Sequence, residues 1–220
     1  MKIDKVESIN VNIPLKKNFG GGTYNVEKRS AIITKIFTDD GLISEVFAGD
    51  DRFRGDQITK CINKIMGPNL IGMNPLEIEK IWNILFNNHI KNVASENREI
   101  LRGTLMRAIA CIDFALWDIL GKSQNKPVIE LLGKKKDRLK VSTIGGYYID
   151  GKGEKEIFDE MQMYQDLGYK ACKFKIGKLK PKEDFLRVEA AKKGINGDFD
   201  LMIDINCGYN VDEGLEICVM

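Results

Sequence analysis

Two short runs carry charge where a buried strand would carry none. The first is Lys170-Ala171-Cys172-Lys173-Phe174-Lys175-Ile176-Gly177. Side chains alternate across a β-strand, so Lys173 and Lys175 share one face and Cys172, Phe174 and Ile176 share the other. The apolar face suits packing beneath helices. Two ammonium groups then point into the interior, or towards the mouth at the strand's C-terminal end. Like charges in a partly desolvated site depress a lysine pKa. A lysine brought towards neutrality can serve as a general base. The second run is Leu201-Met202-Ile203-Asp204-Ile205-Asn206. Asp204 and Asn206 share a face at a strand's C-terminal end, which is the end that carries the site in βα folds. A carboxylate there suits a hard divalent cation such as magnesium, which takes oxygen ligands. Each run has a plainer reading. A KxK strand is commonly a solvated edge, and DxN is commonly a turn, with Asn206 capping the loop beyond Cys207-Gly208.

The elements around these runs follow from periodicity. Ile3, Val6, Ile9, Val11 and Ile13 make a strand that Pro14 is expected to end. Residues 15–29 hold Gly20, Gly21 and Gly22 and few aliphatics, so a mobile loop is expected there. Residues 30–38 and 42–48 flank Asp39-Asp40-Gly41 and make a hairpin. Three helices follow. The first covers 57–66. The second is expected to start from Asn74, with Pro75 in its first turn and Glu77 at the capping-box position, and carries Ile78, Ile81, Trp82, Leu85 and Phe86 as its stripe. The third covers 103–120, with Gly121 as its C-cap. After Gly133 strands and helices alternate: strands at 139–144, 170–176 and 199–205, helices at 154–167, 181–193 and from Asp212. That alternation implies βα units on a parallel sheet.

Composition narrows the class. Hydrophobic residues are 43% and charged residues 30% of 220, as in an ordinary globular protein. The formal net charge is +2, from 34 basic and 32 acidic residues, which gives no nucleic-acid footprint. The short run Lys134-Lys135-Lys136 reads as a solvated loop. Five cysteines occur with no CxxC and no zinc-type spacing, so reduced thiols and a cytoplasmic location are expected. MKIDKVESIN has no apolar h-region, and no run of about 18 apolar residues occurs, so neither a secretory signal nor a membrane partner is expected.

Together, AxKxKIG and then LMIDxNxGY some thirty residues later resemble the enolase superfamily, mandelate racemase and muconate lactonising subgroup. AIACIDFALWDILGK followed by KPVIELLG is similar to that family's junction between cap and barrel. The resemblance covers nearly the whole chain. It implies an α+β capping domain over 1–133, followed from 134 to 220 by the first part of a (β/α)8 TIM-type barrel, truncated after about three βα units. It implies magnesium-dependent removal of the proton alpha to a carboxylate, giving an enediolate. Lys175 then matches the base, and Lys173 its companion on the substrate carboxylate. Asp204 matches the first of three metal carboxylates, and Asn206 a polar position near the site. Phe19, Tyr24 and Asn25 fall in the loop that closes the barrel mouth onto substrate, and residues 49–54 fill a second such loop. The other two metal carboxylates and the opposing base are expected beyond Met220. His89 matches no family position.

A barrel alone takes about 250 residues, so this chain is expected to be incomplete and inactive, or nearly so, by itself. The leading reading is an acid-sugar dehydratase or a related racemase, epimerase or cycloisomerase. Tyr24, Asn25, Lys28 and Arg29 favour a hydroxylated anionic substrate, and a full-length relative would assemble as a homo-oligomer. A Schiff-base lysine lyase or aldolase is the second reading, since it needs a lysine at a strand end and no metal. A non-catalytic remnant, or half of a split protein, is the third.

Overall fold

A computed structural model describes residues 1–49, 53–91 and 100–220. Of the second expected substrate loop, 49–54, positions 50–52 lie outside the described residues. The chain divides into two compact units: Met1–Pro14 with Lys28–Asp137, and Leu15–Glu27 with Arg138–Met220. No helix among the described residues is long and apolar enough to cross a membrane.

A three-stranded sheet runs in the order β1 (Ile3–Gly20), β2 (Asn25–Thr38), β3 (Ile43–Gly49), with residues 15–20 of β1 and 25–27 of β2 counted in the second unit. β2 pairs antiparallel with β3 from Ala31↔Gly49 to Phe37↔Ile43. The hairpin turn is the expected one. The Gly41 amide donates to the Thr38 carbonyl at 3.0 Å, and Gly41 adopts φ +85°, a conformation that costs glycine little. Pro14 does not end β1. The sheet order makes β1 an edge strand, where a residue without an N–H is tolerated.

α1 (Gly55–Lys60) runs on into a wider π-helical stretch, Cys61–Met66. α2 (Ile78–Phe86) begins later than expected. Asn74 accepts the Leu76 amide at 3.1 Å in a local turn, and no side chain caps the helix. α3 (Arg102–Gln124) outruns its expected stop. Gly121 is buried inside the helix, where a Cβ would meet the Lys126 carbonyl at 2.8 Å, and Asn125 ends the helix at φ +52°. Ile32 and Ile36 of β2, Ile58, Ile62, Leu85 and Ile112 are among the side chains of one continuous core, and Trp82 packs against it half-buried. A short helix α4 (Val128–Leu131) follows.

In the second unit β4 (Thr143–Gly145), β5 (Ala171–Lys175) and β6 (Asp200–Asp204) form a parallel sheet in that order. The expected strand at 139–144 is thus reduced to three residues. Helices α5 (Glu154–Asp166) and α6 (Pro181–Lys193) make the crossovers, and α7 (Val211–Cys218) follows β6. Three strands with their helices are the opening of a βα barrel. The alternation along β5 is as expected: Cys172, Phe174 and Ile176 are fully buried against Ile157, Met161 and Ala191 of α5 and α6. α7 opens on a reciprocal cap, with Asn210 Oδ1 accepting the Glu213 amide at 2.9 Å and Glu213 Oε2 accepting the Asn210 amide at 3.0 Å.

Residues 15–27 pack with this second unit. They are not the open loop expected from their glycines. β1 continues to Gly20, β2 starts at Asn25, and the Gly21 amide closes the turn onto the Tyr24 carbonyl at 3.0 Å. Gly20 and Tyr148 exchange backbone hydrogen bonds of 2.9 and 3.0 Å. Those bonds, an isolated antiparallel bridge, give the segment a backbone partner that its own composition does not announce.

Candidate active site

β5 and β6 pair in register with Lys175 opposite Asp204 and Lys173 opposite Met202. In a parallel pair, cross-strand partners face the same side. Lys173, Lys175 and Asp204 therefore share the face turned away from the helices, and the last two share the C-terminal end. One carboxylate oxygen, Asp204 Oδ2, accepts both ammonium groups at 2.8 Å. The other, Oδ1, accepts the Asn206 amide at 3.0 Å. Lys175 donates again to Asn206 Oδ1 at 2.7 Å. Lys175 is 4% exposed, whereas the side chain of Lys173 is 38% exposed.

This geometry fixes charge. The ammonium groups of Lys173 and Lys175 hold the Asp204 carboxyl well below the usual carboxylate range. The hydrogen bond to Asp204 raises Lys173 above the ordinary lysine value. The depression expected from two like charges is therefore not found at Lys173. The two lysines do not face each other alone, because the Asp204 carboxylate lies between them. Asn206 and Cys207 both take left-handed backbone, φ +47° and +56°, and this tight bend turns the Asn206 amide back onto Asp204.

The segment 15–27 lies against the same strand ends. The Thr23 hydroxyl donates to the Asn206 carbonyl at 3.0 Å. The Tyr24 ring centroid lies 6.0 Å from Lys175 Nζ. Asn25 Oδ1 accepts Lys178 Nζ at 3.0 Å, and Phe19 meets Tyr147 edge-on at 4.7 Å. Gly22 approaches so closely that a Cβ there would stand 2.5 Å from the Ile205 carbonyl. The structure thus gathers Lys173, Lys175, Asp204, Asn206 and Tyr24 around one strand pair. Asn25 and Phe19 instead engage Lys178 and Tyr147. His89 belongs to the first unit, in the π-helical turn Asn87–Lys91.

Asp204 is a hard oxygen donor that stays ionised, so in kind it suits magnesium. In number it does not make a site. No group of three or more His, Cys, Asp or Glu side chains able to hold a metal occurs among the described residues.

Sequence reasoning missed a second polar cluster just behind the strand ends. Asp184, in the first turn of α6, is fully buried. Its carboxylate accepts the hydroxyls of Tyr148 (2.6 Å) and Tyr209 (2.7 Å), the Gly177 amide (2.8 Å) and Arg187 Nη1 (2.7 Å). Burial pushes the Asp184 carboxyl up, but these donors together bring it below the ordinary value. Arg187 also donates to the carbonyls of Lys175 (3.1 Å) and Gly146 (2.6 Å). The only signal in the sequence was an acid and an arginine three apart on a helix, which reads as a surface ion pair.

Residues 5–133 match the family model for the mandelate racemase/muconate lactonizing enzyme N-terminal domain, and 156–220 match the enolase C-terminal domain-like model. The chain is 31% identical over 188 residues to the arabinonate dehydratase of Saccharolobus solfataricus, covering 84% of this chain and 48% of that one. Other curated relatives, at 26–28% identity, are a D-galactarolactone cycloisomerase of Agrobacterium fabrum, an N-succinyl-L-Arg/Lys racemase of Bacillus cereus and an L-Ala-D/L-Glu epimerase of Clostridium acetobutylicum. A solved mandelate racemase/muconate lactonizing enzyme superposes with a TM-score of 0.86 at 32% identity, over 98% of this chain and 56% of that one. Another, from a marine actinobacterium and in complex with magnesium, gives 0.79 at 30% identity over 98% and 55%. The chain spans about half the length of the curated relatives it matches. It belongs to the mandelate racemase/muconate lactonizing enzyme family of the enolase superfamily, a family of enzymes.

Proposed function

We propose that this chain supplies one face of a magnesium-dependent site that removes the proton alpha to a carboxylate, in a protein that acts on sugar acids. On this reading 1–133 form the capping domain and 134–220 the opening of the barrel. The observation that carries it is the shared Asp204 oxygen, with Lys173 and Lys175 each 2.8 Å away at a strand's C-terminal end. Magnesium, when bound, supplies positive charge to the carboxylate oxygens of the substrate, and Asp204 would be one of its ligands.

The rest falls to the chain's own side chains. Lys175 is the base. Buried and held as an ammonium by Asp204 and Asn206, it must give up one proton before it acts, and the same two partners then fix the direction from which its amine takes the substrate proton. Lys173, more exposed, holds the substrate carboxylate and opposes the charge that builds on it as the proton leaves. Asn206 orients Lys175. Tyr24 covers the mouth and limits water, while Phe19 and Asn25 hold the same segment through Tyr147 and Lys178. The names of the relatives, dehydratase and cycloisomerase of sugar acids among them, support the substrate class.

A Schiff base asks for a neutral amine, and the Asp204 hydrogen bond raises Lys173 above the ordinary lysine value, which disfavours Lys173 as that nucleophile. The test is solvent exchange. The full-length protein, incubated in D2O with magnesium and a panel of aldonates and aldarates, is expected to wash deuterium into the alpha position or to release a dehydrated keto acid. Lys175→Met is expected to slow both by orders of magnitude. Exchange near the wild-type rate in Lys175→Met would overturn the assignment of the base, and a borohydride-trapped adduct on either lysine would overturn the reaction class.

A further inference from the structure

The segment 15–27 and the strand end bearing Lys175 share a support that neither touches alone. Tyr148 is the joint. Its backbone exchanges both hydrogen bonds with Gly20, at 2.9 and 3.0 Å. Its hydroxyl reaches both oxygens of Asp184, at 2.6 and 2.8 Å, and accepts the Lys178 amide at 3.1 Å. Asp184 in turn takes the Gly177 amide, two residues beyond Lys175. Arg187 bonds Asp184 and the carbonyl of Lys175 itself, and its guanidinium stacks 3.8 Å from the Tyr148 ring centroid. Asp184 is fully buried and Arg187 nearly so. Hydrogen bonds in such a setting are costly to leave unmade, so Asp184 and Arg187, fixed on α6, hold Tyr148 and the Gly177 turn in place.

We propose that Tyr148, Asp184 and Arg187 are positioning residues that couple the seating of segment 15–27 over the mouth to the placement of the Lys175 strand end. The segment is seated by Gly20 on Tyr148 and by Thr23 on Asn206, with Gly22 against the carbonyls of Ile205, Ile176 and Gly177. Three of those anchor points, at Tyr148, Ile176 and Gly177, belong to or adjoin the Asp184 network. A substrate that presses the segment down therefore tightens the backbone around Lys175, and a segment that lifts releases it. Two such sites sharing one network are reciprocally coupled. The consequence for catalysis rests on the reading of Lys175 as base, but the coupling does not.

Amide hydrogen exchange of the full-length protein tests the coupling without any activity. Tyr148→Phe keeps the ring and removes the hydroxyl, whereas Tyr209→Phe removes another Asp184 donor that has no bond to the segment. In Tyr148→Phe the amides of Gly20 and Tyr148 are expected to exchange about ten-fold faster with α6 unchanged, and in Tyr209→Phe to stay within about two-fold of wild type. Thr23→Val, on the segment and outside the buried network, is expected to speed exchange at the Gly177 amide. An unchanged Gly20 amide in Tyr148→Phe, equal effects of the two tyrosine variants, or an unchanged Gly177 amide in Thr23→Val would each overturn the coupling. The functional reading fails separately, if wild type shows no alpha-proton exchange.

Discussion

One oxygen of Asp204 answers two ammonium ions, and that stoichiometry makes the residue's chemistry testable. Removing its charge in Asp204→Asn leaves Lys173 and Lys175 facing each other across a partly buried gap. The pKa of Lys173 is then expected to fall below its wild-type value, which 15N NMR of the side-chain amine would read. Acid stability gives the sign independently. The folded-state pKa of Asp204 is depressed, so its contribution is present above the unfolded value of about 3.9 and is lost as pH falls through the lower, folded value. The wild type is expected to lose stability on acidification below about pH 4, and Asp204→Asn to show a shallower slope over that range in acid-titrated denaturant melts. Lys173 runs the other way, since its raised pKa gives stability that is present below the unfolded value of about 10.4 and fades as pH rises past the folded one. Lys175→Met is expected to lower alpha-proton exchange by about 10²–10⁴-fold, the range for a positioned acid–base group.

At the scale of elements, β5 presents chemistry on one side and core on the other, and the two faces fail differently. Phe174→Ala empties a fully buried site between α5 and α6 and is expected to cost about 3–5 kcal/mol in thermal or denaturant unfolding. Asp184→Asn is expected to cost about as much, 3–5 kcal/mol, because Arg187 stays buried with its charge unmatched. Only the first of these was legible beforehand. A period of two placed Phe174 inward and Lys173 and Lys175 opposite, and the βα alternation placed Asp204 beside them, because both signals are local. Asp184 draws its partners from positions 148, 177, 187 and 209, and no local period encodes such a gathering. The same limit explains the segment 15–29. Three glycines suggested a free loop, whereas the partner that orders Gly20 lies at Tyr148, far along the chain. Pro14 misled for a related reason, since its tolerance depends on β1 being an edge strand.

Over the whole molecule, the thiols report which surfaces are closed. Cys61, Cys111 and Cys172 are buried, whereas Cys207 and Cys218 are exposed. Burial, with the Glu160 carboxylate adding to it, pushes the Cys172 thiol up to about 12. Titration of the native chain with an aromatic disulfide at pH 8 is expected to modify Cys207 and Cys218 promptly and the other three only after denaturation. Prompt reaction of a third thiol would show that one of the two cores is open. The Asp184 network also constrains how such sequences change over descent. A carboxylate with this many donors cannot exchange them one at a time without passing through a weakened ancestor, because contacting partners are non-additive by about 0.5–3 kcal/mol. Among related genes, the amino acids at positions 148, 184 and 187 should therefore be inherited as a set. Lineages that have abandoned one of them should have abandoned the others too.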